Sequence, residues 1–209
     1  MRGTILVAYA SRYGSTREVA ERIADTLREC GYEVDCRDMR EVRSIDDYRT
    51  VVLGAPFYYG RWPRTARHFL SRFGPGLAHR DVAVFATGHI AADKSADTRT
   101  QLDILLERND WLRPFSSEIF GGRWDPAVLR GPQRMMLWFP ASPLRALPPA
   151  DLRDWPAIEK WARSVAESVK AGAAQPNPPN AGQQHSRSGA SLSSIGEYIA
   201  DQQRKELRP

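Results

Sequence analysis

Residues 4–24 read TILVAYASRYGSTREVAERIA, and the fold turns on them. Residues 4–9 are an apolar run without alternation, the pattern of a strand covered on both faces. Small and polar residues follow: Ser11, Arg12, Tyr13, Gly14, Ser15 and Thr16. Val19, Ile23 and Leu27 then recur every four residues with Ala20 and Ala24 beside them, which makes one apolar helical stripe. Ser15 and Glu18 have capping-box spacing, which predicts a helix starting at Ser15. A helix that opens directly after a buried strand turns free backbone N–H groups and a positive dipole end toward the turn, a setting suited to phosphate. The hydroxyls of Ser11, Ser15 and Thr16 are candidate donors, and Gly14 lets the backbone close round a phosphate. An ordinary strand-to-helix loop whose Ser and Thr only cap the helix fits the spacing equally well.

Working outward, Gly31 is a natural helix stop, and residues 32–37 (YEVDCR) alternate like an edge strand. Residues 50–54 (TVVLG) and 81–87 (DVAVFAT) are further apolar runs, and 114–120 (PFSSEIF) is a fifth strand. Helices are expected over 63–73, with Pro63 in the first turn, over 98–108, and over 155–170 with Asp154 as N-cap. Strands alternating with helices imply an α/β fold, a doubly wound five-stranded parallel sheet with right-handed crossovers. Ligands of such sheets bind beyond the carboxyl ends of the strands. Three unusual loops lie there: 11–16, 56–62 and 87–89. The second carries Phe57, Tyr58, Tyr59 and Trp62 around Pro56 and Gly60, aromatics suited to cover a flat ring, although one or two of them belong against the neighbouring helix. Thr87, Gly88 and His89 would flank the other edge with backbone donors. His89 is the one candidate for moving a proton, because imidazole titrates near neutrality, and a loop histidine is otherwise simply solvated.

Other readings of the fold fail on particular residues. The first turn lacks the spaced glycines of a dinucleotide site and the lysine of a P-loop. The acidic residues of a response regulator are replaced by Tyr9-Ala10-Ser11 and Gly54-Ala55-Pro56, and no nucleophile elbow occurs. Cys30 and Cys36 match no metal-ligand spacing and read as thiols of a reducing cytoplasm. A ligand that carries a phosphate and a flat ring is the best remaining reading.

The wording around these loops resembles a known family. Ser11-x-x-Gly14-x-Thr16 is similar to the phosphate loop of flavodoxins, with Tyr13 where many electron carriers have Thr. YASRYGSTREVAERIA, GAPFYYGRW and DWLRPFSSEIFGGRWDP resemble the flavodoxin-domain branch of menaquinone-dependent protoporphyrinogen dehydrogenases. That resemblance implies FMN, a strand order of 2-1-3-4-5, and an insert before the last helix tied to activity. It also implies a role in haem biosynthesis, in which porphyrinogen electrons pass through FMN to a quinone. Residues 121–149 are the corresponding insert. Their core, 133–139 (QRMMLWF), is apolar and flanked by Arg123, Arg130, Arg134 and Arg145 against the single acid Asp125. Arg123, Arg130 and Arg134 are candidates for binding substrate propionates or lipid anions, and 131–147 for touching a membrane. A loop capping the sheet edge is the alternative, and Pro132, Pro140, Pro143, Pro148 and Pro149 limit any long helix.

The net charge of +5 in 209 residues suits anionic partners and is opposite in sign to most electron-carrier flavodoxins. No basic run with interleaved aromatics marks a nucleic-acid surface, and no run approaches the ~20 apolar residues of a membrane span. The expected division is an FMN-binding domain over 1–170 and a mostly disordered tail over 171–209, with a short helix at 192–207. The expected protein is cytoplasmic and acts on a porphyrinogen-like small molecule and a quinone, touching the membrane at its periphery if the insert does. A flavodoxin-type electron carrier without its own substrate is the alternative.

Overall fold

The computed structural model describes residues 4–58, 61–89, 95–128 and 149–172. Strands β1 (Ile5–Tyr9), β2 (Val34–Asp38), β3 (Thr50–Pro56), β4 (Asp81–His89) and β5 (Ser116–Gly121) form one sheet in the order β2-β1-β3-β4-β5. Every pairing in it is parallel. Helices α1 (Ser15–Glu29), α2 (Arg64–Leu77), α3 (Ser95–Glu107) and α4 (Trp155–Lys170) cover it. This is the doubly wound, flavodoxin-like order expected from the sequence. The chain winds outward in opposite directions from β1 and β3, so their carboxyl ends form the switch point.

The unbroken apolar runs are explained by two cores, one on each face of the sheet. Leu6, Ala8, Val51, Leu53, Val82 and Val84 face one core, which also holds Ala66, Phe69 and Leu70 of α2 and Leu102 of α3. Ile5, Val7, Val52, Ala83 and Phe85 face the other, with Val19, Ile23 and Leu27 of α1 and Ile158, Trp161 and Val165 of α4. Alternate residues therefore enter opposite cores, and no position in the central strands can be polar without cost. Gly54 is required by this packing, because a Cβ there would lie 2.0 Å from the ring of Phe85 on the adjacent strand.

The helix ends settle several local expectations. Gly31 has φ 85°, and its N–H and that of Tyr32 reach back to Arg28 and Leu27, a Schellman stop. Asp154 caps α4, its Oδ1 accepting from the Ala157 N–H at 3.0 Å. The capping box at Ser15 and Glu18 does not form. The N-cap of α1 is Gly14, at φ 90°, and no side chain caps the first turn. Ser15 is already helical, and Glu18 turns away to two arginines. Pro63 sits one residue earlier than expected, as the extended N-cap of α2.

The insert begins and ends in a short antiparallel ribbon, β6 (Arg123–Trp124) with β7 (Ala150–Asp151). The Leu152 backbone crosses directly over the end of β5, where a Cβ on Gly121 would lie 1.9 Å from the Leu152 carbonyl oxygen. The apolar stretch 133–139, Arg130, Arg134 and the tail beyond residue 172 lie outside the described residues.

Candidate functional site

The carboxyl ends of β1, β3 and β4 converge at one place. After β1 the chain passes through Ser11, Arg12 and Tyr13 to Gly14, whose left-handed conformation turns it into α1. The Ser11 Oγ accepts the Gly14 N–H at 3.1 Å, which closes the loop on itself. A Cβ on Gly14 would meet little, the nearest atom being a Glu18 carboxylate oxygen at 3.8 Å, so glycine is needed here for its dihedral and not for space. The first turn of α1 is left without a side-chain cap. An uncapped helix start behind a closed glycine loop is a fit for a phosphate group.

Two of the expected hydroxyl donors point elsewhere. Thr16 is buried, and its hydroxyl pairs with that of Thr87 at 2.7 Å, joining the start of α1 to the end of β4. The Ser15 Oγ accepts the Arg123 N–H at 3.3 Å and so holds the insert ribbon. In these contacts the two side chains tie the walls of the site together, while the backbone of the turn stays available.

The aromatic loop after β3 divides in two. Phe57 and Trp62 are buried in the α2 core, their ring centroids 6.2 Å apart. They support the loop from beneath, where ring cover had been expected from Trp62. Tyr58 is the exposed member among the described residues. Tyr58 and Arg61 exchange both backbone hydrogen bonds, at 3.0 and 3.1 Å, which draws the two arms of the loop together. Burial, then the neighbouring Tyr13 phenol, pushes the Tyr58 phenol up to about 12, with Arg12 partly offsetting the rise. Tyr58 is therefore a neutral phenol at any physiological pH, and it stands close to both residues of the first loop. The Arg12 guanidinium lies 5.6 Å from the centre of the Tyr13 ring. Tyr59 and Gly60 lie outside the described residues.

At the third edge, the Phe57 N–H donates to the Thr87 carbonyl at 2.8 Å and so stitches the ends of β3 and β4. The β4–β5 register shifts between Thr87 and His89, and Gly88 is passed over in the ladder. Such an irregularity at a strand end re-aims backbone groups. Gly88 also packs tightly, with a hypothetical Cβ 3.3 Å from that of Phe57. Pro56 is buried as the last residue of β3. The His89 backbone continues β4, but its side chain is not among those described.

One ionic cluster beside this site was missed from sequence. The Arg153 guanidinium donates to both oxygens of Asp151, at 2.7 and 2.6 Å, and to Glu18 at 2.5 Å. Its side chain is only 4% exposed and lies 4.6 Å from the Trp155 ring centre. Arg123, the described member of the three expected anion binders, pairs with Asp125 at 3.0 Å and reaches Glu18 at 3.8 Å. The ribbon is thus fastened to the first turn of α1 by charge as well as by Ser15. Asp151-x-Arg153 is an audible local signal, but nothing in the sequence connects it to Glu18. Among the described residues no cluster of His, Cys, Asp and Glu could hold a metal ion.

Comparison with known proteins agrees with this geometry. A family model described as a flavodoxin domain matches residues 6–145. Protoporphyrinogen IX dehydrogenase (quinone) of Escherichia coli strain K12 is 25% identical over 134 residues, 62% of this chain and 68% of that protein. Among solved structures, a short-chain flavodoxin associated with a non-canonical PDU bacterial microcompartment superposes with a TM-score of 0.54 at 16% identity, over 80% of this chain and 99% of that one. Rubredoxin oxygen:oxidoreductase from Desulfovibrio gigas gives a TM-score of 0.51 at 16% identity over 81% of this chain, which spans only 37% of that protein. At such identities the two structures speak for the fold.

Proposed function

The chain belongs to the flavodoxin domain family, and from that premise we propose that it is an FMN oxidoreductase of the quinone-linked protoporphyrinogen dehydrogenase type. FMN is the cofactor that this membership brings, and when bound it supplies the electron-accepting ring system. The protein's share is to hold, orient and shield. Backbone N–H groups of residues 15–17 and the Ser11 hydroxyl hold the phosphate, with Arg12 adding positive charge nearby. Tyr58, with Tyr59, covers the ring, and Phe57 and Trp62 brace that loop from the core. As a neutral phenol, Tyr58 brings no negative charge that would oppose reduction. The backbone at Gly88 serves the opposite edge. Residues 1–170 form the FMN-binding domain.

The observation that carries the substrate reading is the ribbon of β6 and β7. It makes the insert leave and return at the first turn of α1, beside the phosphate loop. A basic, apolar segment rooted there is suited to a flat substrate with carboxylates. Arg123 is already held by Asp125 and Glu18, so its role is to anchor the ribbon. Arg130 and Arg134 are left to meet the substrate propionates. No described helix is long and apolar enough to cross a membrane; quinone is reached from a cytoplasmic position by peripheral contact through 131–147.

The test is the visible spectrum of protein reconstituted with FMN, followed by anaerobic titration with menaquinol. Bleaching of the bound flavin, and menaquinone-dependent oxidation of protoporphyrinogen, are the expected results. Flavin that stays bound but ignores quinol would replace this reading with that of an electron carrier. Failure to retain flavin would overturn both.

A further inference from the structure

A second concavity lies on the other face of the sheet from α1, between α2 and α3. Its volume is about 750 Å³, within the range of small-molecule sites. Leu105 and Trp111 contribute apolar wall, and Trp62 lines the end nearest the loop that carries Tyr58. The Trp111 ring lies against the backbone of α2 because position 74 is glycine; a Cβ there would come within 3.2 Å of it.

Two features of this groove have no role in the packing. Trp62 is buried, and among the described residues its indole N–H has no hydrogen-bond partner. A buried donor left unpaired is costly to the fold, so the packing at this end of the groove is not optimised. The second feature is charge. Arg61, Arg67 and Arg108 line the groove and are exposed, and among the described residues no acidic one lines it. Among the described residues none of the three takes part in an ion pair, whereas Arg40, Arg49, Arg80, Arg99, Arg123 and Arg153 all do. The bias is already present in the chain: residues 48–80 contain six arginines and no Asp or Glu. The nearby acids of α3, Asp103 and Glu107, do not line the groove.

We propose that the α2–α3 groove is a binding site for a small amphipathic aromatic anion, with its apolar body against Leu105 and Trp111 and its carboxylate or sulfonate among Arg61, Arg67 and Arg108. Aromatic faces and a guanidinium rim suit a flat body with an acidic edge. The groove lies on the face of the sheet opposite α1 and meets the loop that carries Tyr58 only at Arg61 and Trp62.

The experiment uses the full chain loaded with FMN and the fluorescent probe anilinonaphthalenesulfonate, with the neutral phenylnaphthylamine as its uncharged counterpart. Saturable binding at one site is expected, with the neutral probe about tenfold weaker, a discrimination of the size two or three partly screened ion contacts supply. The doubly reversed variant R67E/R108E should lose about tenfold in affinity for the anion and leave flavin absorbance unchanged; both arginines are exposed, so folding is spared. Ser71→Phe, which narrows the groove from α2, should weaken both probes. Equal affinity for the two probes, or indifference to R67E/R108E, overturns the proposal. So does release of flavin in step with probe binding, which would place the probe in the cofactor site.

Discussion

Replacing Arg153 with Met tests how firmly the insert is tied to the cofactor site. The guanidinium is 4% exposed, but its partners Glu18 and Asp151 are 45% and 44% exposed. Removing it therefore does not strand two carboxylates in a dry interior, and the penalty of about 3–5 kcal/mol for breaking a fully buried pair does not apply. What is lost is a bidentate contact and a second ion pair, each roughly 0.5–1 kcal/mol with half-exposed partners. The cation over Trp155 adds about 0.5–1 kcal/mol, while the Met stem keeps the packing on that ring. Arg153→Met should thus cost about 1.5–3 kcal/mol in urea unfolding. Glu18→Gln keeps an acceptor and leaves the Asp151 contact intact, so it should cost no more than about 1 kcal/mol. The two changes share a contact, so the double variant should be less destabilised than the sum of the singles. Hydrogen exchange gives the local readout. The Leu152 N–H, which donates to the Gly122 carbonyl at 3.0 Å, should exchange faster in Arg153→Met while β1 amides change only with global stability. A cost below about 0.5 kcal/mol for Arg153→Met, or strict additivity with Glu18→Gln, would show that the cluster is solvated decoration and refute the anchoring argument.

Three further outcomes follow from particular contacts. Thr87→Val leaves the Thr16 hydroxyl buried without a partner and should cost about 1–3 kcal/mol, whereas Thr16→Val with Thr87→Val should cost less than that single change; chemical denaturation of the apoprotein decides it, and a double variant worse than Thr87→Val alone would refute the pairing. Gly121→Ala drives a methyl into the Leu152 carbonyl and should cost about 3 kcal/mol, while Gly14→Ala makes no clash and should cost only about 1 kcal/mol through its left-handed backbone; comparable melting shifts for the two would contradict the geometry. Burial, then Glu21, raises the Cys36 thiol to about 11 from a reference of 9.0. In the unfolded chain the thiol ionises near its reference value, and in the folded protein only near 11, so stability should fall as pH rises through that window. Cys36→Ala should flatten the fall, and alkylation of Cys36 at pH 8 should run about a hundredfold slower than that of an exposed thiol.

How far the fold could be read from the chain depended on whether its signals were local. Fully buried parallel strands leave unbroken apolar runs, and helices lying on a sheet leave stripes at three- and four-residue spacing. Residues 4–9, 50–54 and 81–87 and the Val19, Ile23 and Leu27 stripe therefore announced a doubly wound sheet before any coordinates. The strand order came from the resemblance around Ser11, Gly14 and Thr16, and the structure agrees with it. The left-handed stop at Gly31 and the cap at Asp154 were legible for the same local reason: a single residue type meets a single backbone requirement.

Where a side chain spends its hydrogen bond is a different matter. Ser15 and Thr16 carry the same hydroxyl chemistry whether they cap a helix, meet a phosphate or join two walls, and only the approach of Arg123 and Thr87 decided between these. Phe57, Tyr58 and Trp62 look alike as loop aromatics, yet the course of α2 buries two of them and leaves the third exposed. Glu18 and Arg153 are 135 residues apart, and no pattern in either neighbourhood predicts that they meet. The sequence by itself determined the layers and the turn conformations, because those follow from burial periodicity and backbone sterics. Tertiary structure alone decided which polar groups face one another at the site, because contacts between distant segments exist only once the sheet has brought them together.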